Sequence, residues 1–285
     1  MNTFYFVTDL HGHIDRYQKL LNLMEAEKPA AVFWGGDLLP HHHRRPFQKN
    51  VPDFFEAFLF PEFSELQEKM SSAYPRIFII LGNDDERRQE VKVLEGAKKG
   101  FWEYIHFRKS SINQHPIYGY TFVPPTPFFL KDWEKYDISR FVDPGCVPPE
   151  EGFRSVPIDD TEIRNDTIED DLKKLTGDEN LDRAIFLFHS PPYQTKLDRA
   201  ALDGRMIDHV PMDVHVGSMA IKRFIETRQP LITLHGHVHE STRITGVWKE
   251  QIGRTWSFNA AHDGQELAVI KFNPEKPAEA TRFLY

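Results

Sequence analysis

Five short motifs of Asp, Asn and His carry side chains that can donate an oxygen or an imidazole nitrogen to a metal ion. The motifs are Asp9-Leu10-His11, Gly36-Asp37, Gly82-Asn83-Asp84-Asp85, His189 and Gly236-His237-Val238-His239. The chain has fourteen histidines but a single cysteine, Cys146. This excludes a disulfide framework, a thiolate zinc cluster and an iron–sulfur centre. The motifs therefore predict a metal site built from oxygen and nitrogen ligands.

Each motif directly follows a short apolar segment that predicts a buried strand. The five segments are Thr3–Val7, Ala31–Trp34, Arg76–Leu81, Ala184–Phe188 and Leu231–Leu234, and two closing strands are predicted at Thr255–Asn259 and Leu267–Phe272. Apolar residues at helical spacing predict helices over Asp15–Glu27, Phe54–Ala73 and Ser218–Thr227, with a break or kink at Pro61. Alternating strands and helices predict an α/β domain, in which ligands bind beyond the carboxyl ends of the strands. The motifs are therefore expected to converge on one site.

The order of these motifs resembles that of the calcineurin-like metallophosphoesterases, from residue 3 to about residue 260. The resemblance implies an α/β fold in which a two-sheet β-sandwich is flanked by helices, the four-layer, metallo-dependent phosphatase-like architecture. It implies a single domain over residues 1–285 and a centre of two metals. The implied ligands are Asp9, His11 and His239 for the first metal, Asn83, His189 and His237 for the second, and Asp37 as the bridge.

The implied chemistry is hydrolysis of phosphate esters by metal-activated hydroxide, without a protein nucleophile. A carboxylate can bridge two metals through its two oxygens, as the resemblance implies for Asp37. Ligands without sulfur suit divalent or trivalent ions such as Mn²⁺, Fe or Zn²⁺, and the sequence does not choose among them. His237 and His239 lie only two residues apart, and we expect a turn there, aided by Gly236.

Asp84 departs from the family pattern, in which His often follows the Gly-Asn pair. Two neighbouring cations would keep this carboxylate ionised, making it a poor general acid and a source of repulsion for phosphate. We therefore expect phosphodiesters to be preferred over phosphomonoesters. Asp84 or Asp85 could cap a helix extending to about Lys99 or orient a neighbouring ligand. The alternatives are a direct catalytic role for Asp84 and a loss of catalysis.

Other polar residues have both functional and structural interpretations. His215 and His13 could supply the missing acid or be structural. His43 and Arg44, in a basic segment after Asp37, could hold the non-reacting part of an anionic substrate or belong to a solvated loop. His235 is expected only to orient a metal ligand, and His262 to lie in a turn. No cofactor other than the metals is predicted.

Residues 116–157 contain eight of the twenty prolines and many aromatic residues. Proline at this density argues against a continuous helix or a central strand, so we expect a long ordered loop. The two alternatives are a surface insertion packed by its own aromatics and a lid over the substrate.

Composition limits the partners. The net charge of −8 disfavours a protein that coats a nucleic-acid backbone with an extended basic surface. Without a signal peptide or the roughly 20 apolar residues of a membrane helix, we expect a soluble, cytoplasmic protein acting on a small phosphorylated substrate such as a nucleotide. The alternatives are a non-catalytic metal-binding subunit of the same fold, a phosphomonoesterase and a nuclease. The sequence leaves the oligomeric state open.

Overall fold

The computed structural model describes residues 3–40 and 53–285. Their strands are β1 (Phe4–Val7), β2 (Ala31–Gly35), β3 (Arg76–Ile80), β4 (Glu103–Tyr104), β5 (Arg108–Ile112), β6 (His115–Tyr120), β7 (Ile185–Phe188), β8 (Met206–Ile207), β9 (Val210–Pro211), β10 (Ile232–His235), β11 (Lys249–Ile252), β12 (Thr255–Asn259), β13 (Ala268–Phe272) and β14 (Thr281–Leu284). Their α-helices are α1 (Ile14–Glu27), α2 (Phe60–Met70), α3 (Glu90–Lys98), α4 (Asp160–Asn165), α5 (Ile168–Thr176), α6 (Met219–Arg228) and α7 (Ser241–Thr245).

Two six-stranded sheets dominate the fold. The first sheet has the order β14-β13-β1-β2-β3-β4 and the second has the order β11-β12-β10-β7-β6-β5, while β8 and β9 form a separate hairpin. The neighbours among β1, β2, β3 and β4 are parallel, as are those among β6, β7, β10 and β12. Within each sheet the carboxyl ends of these strands therefore lie along one edge, where ligands bind in α/β proteins.

The strands are buried on both faces because each sheet packs against the other sheet and against helices. Phe4 and Phe6 belong to an apolar cluster between the sheets, whereas the alternate residues Tyr5 and Val7 belong to the cluster that includes the helices. Tyr17 of α1 packs on Trp34 of the first sheet with ring centroids 5.5 Å apart, and Phe224 of α6 packs on Phe186 of the second sheet at 4.9 Å. The predicted α/β fold, with two sheets flanked by helices, is confirmed.

Two element predictions need refinement. The long helix predicted over Phe54–Ala73 is a π-helical turn, Phe55–Leu59, followed by α2, and Pro61 lies in the first turn of α2, where its missing N–H costs little. The loop expected from Pro116 is wrong for its first five residues, which belong to β6 inside the second sheet. Pro116 is tolerated because it lies next to the beginning of that strand.

Residues 121–157, which we call the insertion segment, contain no named helix or strand but do form isolated bridges. Val123 pairs with Glu134, and Leu130 pairs with Phe153. Trp133 and Lys131 are fully buried, so the segment has its own packed interior. Within the described ranges, none of the helices combines the length and apolar character needed to cross a membrane.

Candidate metal centre

The strand ends bring the predicted ligands together at the edge shared by the two sheets. Asp9 and His11 follow β1, Asp37 follows β2 and Asn83 follows β3, whereas His189 follows β7 and His237 and His239 follow β10. The two sheets are joined directly at this edge, because His189 Nδ1 lies 2.7 Å from the backbone oxygen of Gly35 at the end of β2.

The predicted ligands form two groups that share one carboxylate. The first group is Asp9, His11, Asp37 and His239, the second is Asp37, His189 and His237, and the ligand atoms of each group lie within 4.8 Å of one another. In the first group, His239 Nε2 is 3.0 Å from Asp9 Oδ1 and 3.1 Å from His11 Nε2. In the second, His189 Nε2 is 3.3 Å from Asp37 Oδ2. Asp37 therefore occupies the position expected of a bridging ligand.

Asn83 completes the second group through its side-chain oxygen. Asn83 Oδ1 lies 3.1 Å from His189 Nε2, while Asn83 Nδ2 donates to Asp84 Oδ1 at 3.2 Å. His189 Nδ1 donates to the backbone oxygen of Gly35, so its Nε2 faces Asn83 and Asp37. The lone pairs of several donors thus converge, and this arrangement fits metal ions held by oxygen and nitrogen ligands.

The carboxylates and imidazoles perturb one another strongly. Burial alone would lower the pKa of His189, but the carboxylates of Asp37 and Asp9 outweigh it and raise that pKa to about 10. Burial would also lower the pKa of His239, but the Asp9 carboxylate outweighs it and raises that pKa to about 9. Burial lowers the pKa of His237 to about 4. The site therefore favours positive charge between its carboxylates, as a metal centre requires.

Burial also affects Asp84. Burial is the main cause and the nearby charge of Asp37 the second, and together they raise the pKa of Asp84 to about 8 in the metal-free protein. Bound cations would oppose this shift, because positive charge favours the ionised carboxylate. Asp84 Oδ2 lies 4.0 Å from His11 Nδ1, so its charge acts directly on the centre.

Several ligands lie in left-handed turns. Asp9, His11, Asp37 and His237 have φ angles of 56°, 46°, 51° and 69°. The turn expected near Gly236 thus takes its positive φ at His237. Gly236 is needed for close approach instead, because a Cβ there would lie 2.6 Å from Asp9 Oδ2 and 2.3 Å from Thr8 Oγ1. Such backbone conformations typically cost about 1–3 kcal/mol each and concentrate at functional sites.

The predicted helix cap at Asp84 or Asp85 is wrong. Helix α3 begins only at Glu90, after a 3₁₀ turn at Arg87–Gln89. Asp85 is fully buried and instead accepts backbone hydrogen bonds from Gly82, Leu38 and Leu39. It therefore joins the turn after Asp37 to the turn that carries Asn83, a long-range contact that local sequence spacing did not indicate.

His215 lies outside both ligand groups, in the loop between β9 and α6. Its Nδ1 is 2.8 Å from Asp198 Oδ1, and the buried Asp198 also accepts from the backbone of Thr195 and Gly217. The sequence analysis missed Asp198, whose only signal is a lone carboxylate in a polar loop. Asp198 thus holds Nδ1 of His215, while Nε2 of the same ring can face a second partner.

The remaining candidates have diverse surroundings. His235 is buried between the ligand segments, with Nδ1 2.9 Å from the backbone oxygen of Ser190 and Nε2 2.7 Å from Thr233 Oγ1, which agrees with an orienting role. His13 is exposed at the N-cap of α1 without a side-chain cap bond. His262 Nε2 lies 3.0 Å from Glu266. His43 and Arg44 lie outside the described residues.

Arg16 is a further residue that the sequence analysis missed. It is buried on α1, and its Nη1 donates to the backbone oxygen of Asp9 at 2.8 Å while Nη2 donates to that of Gly264. Arg16 thereby supports the left-handed turn at the first ligand. Its position beside the apolar face of α1 is the only sequence signal.

Comparison with known proteins establishes the class. The chain belongs to the calcineurin-like phosphoesterase family, whose model matches residues 3–241. The predicted resemblance is thus confirmed, and membership supports a hydrolase of phosphoric esters in a family that typically uses two divalent metals. No curated protein sequence is significantly similar to this chain.

Solved structures agree with the fold. The protein TT1561 of Thermus thermophilus superposes with a TM-score of 0.55 at 16% identity, covering 99% of this chain and 98% of that protein. A dimetal phosphatase from Danio rerio superposes with a TM-score of 0.52 at 11% identity, covering 99% of this chain and 98% of that chain. At these identities the similarity concerns the fold alone.

Proposed function

We propose that this protein hydrolyses phosphate esters, phosphodiesters in preference to phosphomonoesters, at a centre of two metal ions. The observation that carries the proposal is the sharing of Asp37 between two groups of converging ligand atoms. When bound, two such ions supply activation of water near neutral pH and neutralise charge on the phosphoryl oxygens. The donor atoms admit Mn²⁺, Fe or Zn²⁺.

The protein's own residues hold and orient this centre. Asp9, His11 and His239 would hold one ion and Asn83, His189 and His237 the other, with Asp37 between them. His189 is fixed by its hydrogen bond to Gly35, and Asn83 by its hydrogen bond to Asp84. Because these bonds set the donor atoms before any ion binds, the centre is preorganised.

Asp84 and His215 are the proposed non-ligand contributors. The Asp84 carboxylate lies close enough to the centre to repel a phosphate dianion more than a diester monoanion. His215, whose Nδ1 is held by Asp198, is our candidate for donating a proton to a leaving-group oxygen through its other ring nitrogen. The substrate we infer is a small phosphodiester such as a cyclic or esterified nucleotide. The location we propose is the cytoplasm.

The test is an activity panel on the purified protein after reconstitution with Mn²⁺, Fe²⁺ or Zn²⁺, with metal content measured by elemental analysis. A phosphomonoester, an activated and an unactivated phosphodiester, and cyclic nucleotides are compared. We expect two metals per chain and higher kcat/KM for diesters. His215→Asn should slow the unactivated diester far more than the activated one, since a good leaving group needs no acid.

Asp37→Asn is the companion variant. Replacing the shared carboxylate by an amide removes one possible ligand oxygen and a negative charge, so we expect loss of at least one metal and of activity while the far-ultraviolet circular dichroism stays unchanged. Wild-type metal content and turnover in Asp37→Asn would refute the bridge. Two bound metals without turnover of any ester would favour the non-catalytic alternative.

A further inference from the structure

The insertion segment contacts the 3₁₀ turn that follows the segment with Asn83. Asp132 is fully buried, and its Oδ2 accepts the backbone N–H of Arg87 at 2.7 Å. Ser155 Oγ accepts the next backbone N–H, that of Arg88, at 2.9 Å. These two N–H groups begin the 3₁₀ turn before α3 and have no cap from their own preceding residue. The cap is therefore supplied from a distant part of the chain.

Asp132 and Ser155 act as one unit, which we call the clamp. Ser155 Oγ donates to Asp132 Oδ2 at 2.5 Å, and the backbone N–H of Ser155 donates to Asp132 Oδ1 at 2.8 Å. Next to the clamp, the Arg87 guanidinium lies over the buried ring of Trp133, 5.1 Å from its centroid. The 3₁₀ turn that follows the Asn83 segment is thus fixed by hydrogen bonds and by a cation–π contact.

Between Asn83 and this 3₁₀ turn, Asp85 fixes the chain to the other side of the site. Asp85 accepts from Gly82 and from Leu38 and Leu39 in the Asp37 turn. Asn83 consequently lies on a short segment that Asp85 holds against the Asp37 turn, and the clamp holds the chain further toward its carboxyl side. Loss of the clamp would leave the contacts of Asp85 as the remaining support on that side of Asn83.

A second carboxylate of the insertion segment reaches the beginning of α6, the helix that packs on the second sheet. Asp137 accepts from Ser218 Oγ at 2.5 Å and from the backbone N–H of Met219 at 2.6 Å, at the beginning of α6. The backbone N–H of Ser218 donates to Pro191, two residues after His189, at 2.8 Å. Asp132 and Asp137 therefore support segments that carry Asn83 and His189, both assigned to the second metal.

We propose that the clamp is a positioning device for the second metal, and that Asp132 sets the affinity of that metal through the Asn83 turn. The proposal rests on the two-metal function proposed above. Substitution of residues that support metal ligands typically costs 10–100-fold in affinity. No clamp contact reaches Asp9, His11 or His239 among the hydrogen bonds of the described residues, so the first metal should keep its affinity.

The experiment is Mn²⁺ titration by isothermal calorimetry of the full-length protein and four variants. We expect Asp132→Ala to weaken one of two metals by about tenfold or more, and Asp132→Asn to weaken it less, because its amide oxygen still accepts one N–H. Ser155→Ala, which leaves the carboxylate, should show a smaller loss at the same metal. Glu150→Gln is the matched control, because Glu150 contacts Tyr136 and Arg140 inside the insertion segment and should leave both metals unchanged.

The site of the effect is checked in variants that lack one ligand. The loss should persist with His239→Asn, which impairs the first site, and disappear with His237→Asn, which impairs the second. Wild-type binding in folded Asp132→Ala, or in Ser155→Ala if Asp132→Ala does not fold, would overturn the clamp, as would equal weakening of both metals. A wild-type protein that binds fewer than two metals would instead contradict the two-metal function.

Discussion

At the scale of single residues, Asp84 has two effects that can be separated. Its carboxylate accepts the Asn83 amide N–H and so directs the Asn83 oxygen toward His189. The same carboxylate places a negative charge beside His11. The first effect needs only an acceptor oxygen, whereas the second needs the charge. An amide side chain at this position keeps the first and removes the second.

Asp84→Asn should therefore raise turnover of phosphomonoesters several-fold and change that of phosphodiesters little. Removal of one repulsive charge at a partly screened distance is worth on the order of 1 kcal/mol, or up to roughly tenfold in rate. The measurement is kcat/KM for one ester of each type, alongside metal content. Asp84→Ala, which also removes the acceptor, should bind the second metal more weakly.

The opposite result would identify a catalytic carboxylate. If Asp84→Asn loses all turnover while retaining two metals and the wild-type melting temperature, Asp84 takes part in the reaction itself, and the charge-repulsion argument fails.

At the scale of elements, the insertion segment combines a fixed interior with an exposed surface. Lys131 and Glu134 form an ion pair with both side chains fully buried. Asp132, next to Lys131 in the chain, belongs to the clamp and bonds the backbone N–H of Arg87. In contrast, Phe128, Phe129 and Phe141 are more than half exposed. A lid over the substrate and a fixed insertion remain the two alternatives for this segment, and the exposed phenylalanines allow a direct test.

Limited proteolysis with chymotrypsin, which cleaves after exposed aromatic residues, should distinguish them. A fixed insertion held by the clamp predicts the same cleavage rate at Phe128, Phe129 and Phe141 with and without a bound phosphate analogue. A lid predicts slower cleavage in the presence of the analogue, since closure would shield these residues. Mass spectrometry of the fragments identifies the cleaved bonds, and cleavage elsewhere in the chain serves as the internal control.

At the scale of the whole molecule, the proposed centre joins the two sheets. Each ligand group contains side chains from both sheets, such as Asp9 with His239 and Asp37 with His189. A metal in either group would therefore add a link between sheets that already meet through the apolar cluster and the His189–Gly35 hydrogen bond. Metal binding should stabilise the native state against unfolding of the entire domain.

Saturation with Mn²⁺ should raise the melting temperature by roughly 5–10 °C at a concentration near 100 times Kd, corresponding to about 2.7 kcal/mol. The increase should become larger from pH 7 to pH 9. His189 and His239, with pKa values of about 10 and 9 in the metal-free protein, hold protons that the metal must displace, and fewer remain at higher pH. Scanning calorimetry at several pH values provides the measurement.

The metal-free protein should show the opposite trend. Because both pKa values exceed the ordinary value of 6.5, these histidines stabilise the fold fully below pH 6.5 and lose this contribution as pH rises through 9 and 10. The melting temperature without metal should therefore fall over the range in which the metal effect grows. Asp37→Asn provides the control, since it should reduce both trends, and equal slopes with and without metal would contradict the linkage.

The sequence by itself predicted the α/β class, the principal strands and the polar residues that follow them, and the family resemblance implied which seven of those residues are candidate ligands. The strands and the residues that follow them could be predicted because they are local features, and parallel strands bring their carboxyl ends to one edge. The structure places all seven ligand candidates at that edge. Short strands such as β4, β8 and β9 carry too few residues for a pattern and escaped the sequence analysis.

Only the tertiary structure decided which polar groups support those ligands. Asp85, Asp132 and Asp198 each accept backbone hydrogen bonds. Their partners lie far away in the chain or in an irregular loop, and no periodic sequence pattern indicates such contacts. The helix cap is the clearest case: local spacing assigned it to Asp84 or Asp85, whereas the cap in the structure belongs to the 3₁₀ turn before α3 and comes from Asp132, 45 residues from Arg87. A backbone N–H can be satisfied by any acceptor that the fold brings within reach, so its partner follows from packing and not from sequence separation.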